Sequence, residues 1–320
     1  MFSINLPAGL GTVFRKEFSD HLSGKRFLIL FALILVTSLA SIYVAGMTIR
    51  GMAARAQNDD FVFLLLFTSG KSSLPSFLSF LGFLGPLVGL ALGFDSINGE
   101  YTRGSLIRIL SQPIHRDSVI NGKFLAGISI IFIMLISLIL LVTGMGLLIL
   151  GIFPTGAEIA RMTVFILLSI VYIAFWLGLS ILFSILFRQT TTSALAGMAA
   201  WLFFTIFVSI IAGVFADAII PLHQGAGPQL ILRHEILQHY LERLSPTTLY
   251  YEATTMILTP QLRTLSPVHI QQLEGAIPST LPLGISLSLI WPHIVGLIAL
   301  TFMCFAFSYG IFMRQEIRAT

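Results

Sequence analysis

The 320-residue chain is 56% hydrophobic and only 10% charged, with a mean hydropathy of +0.94, values that exclude an ordinary soluble globular protein and mark an integral membrane protein. A net charge of +4 and a pI near 9.4 do not indicate a nucleic-acid partner, because no basic patch with interleaved aromatics is present. The single cysteine, Cys304, excludes intrachain disulfides and a Cys-rich metal centre, and no metal site is expected elsewhere.

The chain opens with a segment, residues 1–26, that lies outside the membrane core. Within LGTVFRKEFSDHL (10–22), Leu10, Val13, Phe14, Phe18 and Leu22 recur at helical spacing, while Arg15, Lys16, Glu17 and Asp20 fall elsewhere around the helix. That pattern predicts an amphipathic helix in the interface, with Phe14 and Phe18 toward lipid and Lys16 and Glu17 toward water. Lys25 and Arg26 then anchor the first span.

A helix needs roughly 20 apolar residues to cross the bilayer, and six runs qualify: Phe27 to Met47, Phe77 to Phe94, Phe124 to Phe153, Met162 to Phe187, Ala194 to Ile220 and Leu283 to Met313. The predicted fold is therefore an all-α membrane protein, with residues 27–320 forming a six-helix domain. After the first span, SGKSS (69–73) resembles half of a phosphate-binding loop, but Leu65 stands where its first glycine belongs, so no ATP site is expected. The second span carries Gly85, Gly89 and Gly93 in tandem G-x-x-x-G spacing, a bare stripe for close helix packing, with Pro86 beside it.

A polar loop, residues 95–123, joins the second and third spans. Gly99 and Gly104 bracket Glu100 and Arg103; SLIRIL follows as a short helix with Leu106, Ile109 and Leu110 apolar, and Pro113 stops it before Arg116. Such a rigid amphipathic element just outside the membrane suits docking against another protein. Between the fifth and sixth spans, residues 217–282 form the largest loop. Its LRHEILQHYLERL (232–244) and TTLYYEATTMIL (247–258) read as two helices, expected to make a small external cap. Near the start of the last span stand Trp291, Pro292 and His293, with no carboxylate placed in sequence to pair with the histidine.

With the N-terminus inside, the outer segments hold Arg50, Arg55, Lys71, Arg161, Arg233, Arg243 and Arg263, leaving eleven of the 18 Lys and Arg on the inner side. The excess orients the chain with both termini and the 95–123 loop in the cytoplasm and residues 217–282 outside, in the plasma membrane. The spans hold essentially no ionisable residues beyond their ends, which argues against an ion-coupled carrier. No H-E-x-x-H, G-x-S-x-G or paired-carboxylate motif suggests an enzyme. A membrane scaffold or assembly factor that grips an extracytoplasmic partner through the 217–282 segment remains open at this point.

The loop has a further character. Phe94, Asp95, Ile97, Gly99, Glu100, Gly104, Ser105, Leu106, Leu110, Pro113, Arg116, Gly122 and Lys123 follow the order FD-x-I-x-G-E-x-x-x-G-(S/T)-L-x-x-(I/L)-L-x-x-P-(I/V)-x-R…G-K. This resembles the cytoplasmic loop of ABC-transporter permeases of the exporter-type (type-2) superfamily, including the group tied to nitrous-oxide-reductase maturation. The Lys16–Glu17 pair before span one and Ser245-Pro246…Tyr250 extend the likeness over nearly the whole chain; Tyr101 departs from the charged residue expected after Glu100. The resemblance implies that the loop is a coupling helix seated in a groove of a separate cytoplasmic ATPase. Gly99, Glu100, Arg103, Gly104, Leu106, Ile109, Leu110, Pro113 and Arg116 would be its docking residues. Glu100 would meet basic groups of the ATPase, and Arg116 and Lys123 would anchor the return to the membrane. It also implies a second permease copy, ATP and Mg bound by the partner and no cofactor bound by this chain.

Overall fold

The computed structural model describes residues 9–53, 61–70, 74–104, 112, 114–223, 227–261 and 280–315. Helix α1 (Leu10–Ser23) leads into α2 (Lys25–Ala53), which is followed by a short α3 (Leu65–Thr68), then α4 (Phe77–Gly93) and α5 (Asn98–Thr102). The long helices α6 (Arg116–Leu150) and α7 (Gly156–Leu186) come next. The fifth span is α8 (Thr190–Leu202) and α9 (Val208–Ile219) joined by a π-helical turn, Phe203–Phe207. Then follow α10 (Pro228–Glu242), α11 (Pro246–Leu258) and α12 (Leu283–Arg314), and no β-strand forms among the described residues. Six of these stretches are long and apolar enough to cross a membrane, so the chain is an all-α, multi-pass membrane protein.

Helix α7 is the hub. Two-thirds of its most apolar window (67%) is buried within the chain, against 11% for the fifth span and 11% for α12. It runs parallel to α4, with the α4 glycines against its backbone: a Cβ at Gly89 would lie 2.7 Å from the Ile173 carbonyl oxygen, and one at Gly93 2.8 Å from Ser180 Cβ. Gly85 faces Ile173 likewise. Close approach of this kind replaces the hydrophobic driving force that helices lack inside lipid. Hydroxyls add to it, since Tyr172 Oη donates to Gly82 O (2.9 Å) and Ser180 Oγ to Leu90 O (2.8 Å).

The N-terminal end of α7 is fixed by charged side chains inside the helix. Thr155 and Glu158 form a capping box, and Glu158 Oε1 also accepts the backbone N–H of Phe63 at 2.9 Å. Arg161, expected in an outer loop, lies instead within α7 and is 1% exposed. Its guanidinium donates to Ile257 O (2.8 Å), Ser286 Oγ (3.4 Å) and Leu281 O, joining α7 to the end of α11 and the start of α12.

The expected external cap turns inward. Helix α10 runs antiparallel to α9: His234 Nε2 and Asp217 Oδ1 are 2.9 Å apart, and Ser209 Oγ donates to Glu242 Oε1 at 2.8 Å. At the following turn, Ser245 Oγ donates to Phe204 O (2.7 Å) within the π segment. Helix α11 then returns antiparallel to α7, with the Tyr250 and Ser169 hydroxyls 2.9 Å apart and the Tyr172 and Tyr250 rings stacked at 4.2 Å. Tyr250, Ala253, Met256 and Ile257 are all fully buried. Residues 228–258 are thus a helical hairpin inserted among the spans, whose turn reaches the middle of the fifth span and whose Ile257 carbonyl is satisfied by Arg161.

Candidate functional site

The loop expected to dock a partner is described on its two flanks. Leu106, Ile109, Leu110 and Pro113 lie outside the described residues. On the first flank, α5 closes with Arg103 N–H donating to Gly99 O (3.2 Å) and Gly104 N–H to Tyr101 O (3.0 Å). Gly104 has φ 67°, a left-handed conformation that glycine adopts without strain. Arg103 and Gly104 are exposed, and Gly99 is buried beside the Arg103 guanidinium. This flank is tied to α7: Ser184 Oγ accepts the N–H groups of Ile97 (2.9 Å) and Asn98 (3.2 Å), and Asn98 Nδ2 donates to Phe187 O (3.2 Å). On the second flank α6 begins two turns before the apolar run, and the half-buried Arg116 donates to Gln315 O at 3.0 Å beyond α12.

Between the flanks lies a ring of four charges. Lys123 Nζ stands 2.8 Å from Glu17 Oε1 and 3.0 Å from Glu100 Oε1; Lys16 Nζ stands 2.9 Å and 3.0 Å from the same two oxygens. Each ammonium meets both carboxylates, and the four formal charges cancel. The side chains of Lys123, Glu100 and Glu17 are 3%, 4% and 9% exposed, while Lys16, at 51%, closes the ring on its open side. Burial pushes the Glu17 carboxyl up, but the charges and hydrogen bonds of Lys123 and Lys16 more than reverse this and hold it at about 2. Burial likewise opposes the charge on Lys16, and Glu17 and Glu100 outweigh it to raise that ammonium above its ordinary value. The neighbouring His21 imidazole is pushed below its ordinary value by burial.

Two expectations are corrected here. Glu100 does not face outward to meet an ATPase; it is 3% exposed and engages Lys16 and Lys123. Glu17 does not sit on the wet face of α1, because the buried stripe runs Leu10, Val13, Glu17, while Leu22, assigned to the apolar face, is 41% exposed. Phe14 and Phe18 are half-buried and stack at 5.7 Å. The stripe turns because α1 packs on α6: a Cβ at Gly122 would lie 2.9 Å from Val13 Cγ1. Gly122 opens the space and Lys123 supplies the charge that Glu17 answers. Lys123 is therefore a buried bridge and not a membrane anchor. Opposite formal charge at residues 17, 100 and 123 was the one available signal, and it carries no distance information.

A second polar cluster occupies the hairpin. His293, expected to lack a carboxylate, has Glu252 Oε2 at 2.7 Å from its Nε2, and Arg243 Nε donates to the same oxygen at 2.9 Å. His239 Nδ1 approaches Glu252 Oε1 at 3.5 Å. The pairing is invisible in sequence because Glu252 and His293 are 41 positions apart.

A family profile described as ABC-2 family transporter protein matches residues 11–317. The chain is similar to a probable ABC transporter permease protein NosY of Pseudomonas aeruginosa, with 29% identity over 96% of this chain and 98% of that protein. It is similar to a probable ABC transporter permease protein NosY of Stutzerimonas stutzeri as well, with 34% identity over 34% of this chain and 35% of that one. With six apolar helices along the matched length, the chain belongs to the ABC-2 family of transporter proteins and is an ABC transporter permease subunit.

Proposed function

We propose that this permease is driven by a separate cytoplasmic ATPase that holds ATP and Mg, and that it works as an exporter or transmits force across the membrane. Residues 95–123 seat on the ATPase, both termini lie on the same cytoplasmic side, and two copies of the chain enclose the path. The apolar Leu106, Ile109 and Leu110, with Pro113, fill the partner's groove, and Arg103 and Gly104 lie at its edge.

The observation that carries this reading is the charge ring. A loop that only connected two spans would not need Glu100 buried against Lys16 and Lys123 and its backbone held by Ser184. With those ties, displacement of the loop moves α1, α4, α6 and α7 together, as coupling of ATPase closure to the spans requires. Glu100 on this reading is the socket that holds the coupling helix.

The test is to purify the chain from its native membrane in mild detergent and assay associated ATP hydrolysis. Wild-type protein should bring down an ATPase subunit, Leu110→Asp should release it, and Glu100→Gln should retain it while lowering transport-linked turnover. A chain that purifies with an extracytoplasmic partner alone, unaffected by Leu110→Asp, would make it a scaffold instead.

A further inference from the structure

A cavity of about 300 Å³ opens beside the charge ring, between the end of α1, the first turns of α2 and the last turns of α4. Its wall is divided. Phe27 and Leu30 of α2 and Val88, Ala91 and Leu92 of α4 form an apolar half. Charged side chains line the cavity as well, and most are paired: Lys16 and Lys123 with Glu17 and Glu100, Arg26 with Asp95 at 2.6 Å, and the exposed Asp20 at 3.8 Å from Lys16. Lys25 and Arg103 are different. Both line the mouth, both are exposed, and neither has an acidic partner among the described residues. The cavity therefore offers two cations without an acidic partner among the described residues, with the Asp20 carboxylate also in its lining, above a greasy slot at the level where spans one and two leave the membrane.

The geometry points to a binding site for an anionic phospholipid, its phosphate between Lys25 and Arg103 and the start of an acyl chain against Phe27, Leu30 and Ala91. A free phosphate has no use for the apolar half. A protein partner would leave that half empty, whereas a lipid fills both, and basic pockets at helix ends are where anionic headgroups are held. Such a lipid would bridge α1, α2 and α4. The site shares Arg103 with the proposed edge of the ATPase groove, and Lys25 with the apolar wall belongs to the lipid reading alone.

The experiment is native mass spectrometry of the purified chain with phosphatidylglycerol, with phosphatidylcholine of the same acyl chains, and with glycerol 3-phosphate as tail-less competitor. Wild-type protein should retain one phosphatidylglycerol in preference to phosphatidylcholine, without displacement by glycerol 3-phosphate. Lys25→Gln/Arg103→Gln, both at exposed positions, should weaken retention roughly thirtyfold, about fivefold for each basic contact. Ala91→Trp should weaken it without altering charge, and Arg50→Gln, exposed at the opposite end of α2 from Lys25, should leave it unchanged. Equal retention of the two lipids, or retention unaltered in the double variant, overturns the proposal. Displacement by glycerol 3-phosphate reduces the site to a phosphate site and overturns it too. So does loss of a co-purified ATPase from the double variant with lipid retention intact, because the mouth would then belong to a protein interface.

Discussion

Lys123 shows what a single charge does when it is buried. Its ammonium is held between Glu17 and Glu100 with a side chain 3% exposed, so its removal leaves two carboxylates facing Lys16 alone. Breaking a buried pair by deleting one partner costs about 3–5 kcal/mol, whereas removing the pair together costs far less. Lys123→Met should therefore lower the thermal midpoint of the solubilised protein by several degrees, and Lys123→Met/Glu17→Gln should recover much of the loss. Losses that simply add would show that the two groups are not coupled. Acid gives a second handle on the same ring. Glu17 falls from an ordinary 4.5 to about 2, so its contribution is complete above about pH 5 and disappears as pH drops toward 2. Lys16, raised above 10.5, contributes below that value and loses its effect as pH rises beyond it. Between about pH 7 and 3 the thermal midpoint should consequently fall more steeply for wild type than for Glu17→Gln; equal slopes would remove Glu17 from the acid response.

At the scale of helices, the α4–α7 seam depends on glycine. A Cβ at Gly89 would stand 2.7 Å from Ile173 O and 2.9 Å from Leu177 N, both backbone atoms of a buried helix that cannot give way cheaply. At Gly178, on the same α7, the nearest atom to an added Cβ is Cys304 Cβ at 3.6 Å, an ordinary contact. Gly89→Ala should thus cost about 1–3 kcal/mol through forced separation, while Gly178→Ala should be neutral or stabilising, because alanine is the better helix former. Thermal midpoints of the two variants decide it, and a tolerant Gly89→Ala would mean that the seam is loose. Such a stripe was legible in sequence, as were the six spans, because lipid leaves long apolar runs no other use. The third span reads as apolar from Phe124, while α6 begins at Arg116, since hydropathy marks where lipid begins and not where the helix does. Glu17 and the α10–α11 hairpin were misread for a related reason: a polar side chain reads as water-facing until its distant partners are known, and an amphipathic helix reads alike on the surface and inserted between spans.

Across the whole molecule the exposed apolar surface is uneven. The fifth span buries only its small residues Ser193, Gly197, Ala212 and Ala216, while Leu195, Met198, Leu202, Phe203, Ile206, Phe207 and Ile210 all face outward. Helix α12 also has exposed large residues, Phe302 at 70% among them, but it buries Ile290, His293 and Leu297 against α7 and α11. The first arm of the hairpin lies along the fifth span through Asp217–His234, Ser209–Glu242 and Phe204–Ser245, while the second packs on α7 and α12. Two copies apposed at the fifth span would therefore bring two hairpin tips toward one path. Lipid can cover either surface, but on the proposed two-copy arrangement a route for cargo or force needs polar groups between the copies. A cross-link separates the two surfaces, and the single native cysteine, Cys304, makes a Cys304→Ala background clean. In that background Ile206→Cys should form a disulfide-linked pair of chains in native membranes, and Phe302→Cys should not. Pairing through Phe302→Cys alone would move the interface to α12, where Glu252 of the hairpin reaches His293, and would take the fifth span out of the contact.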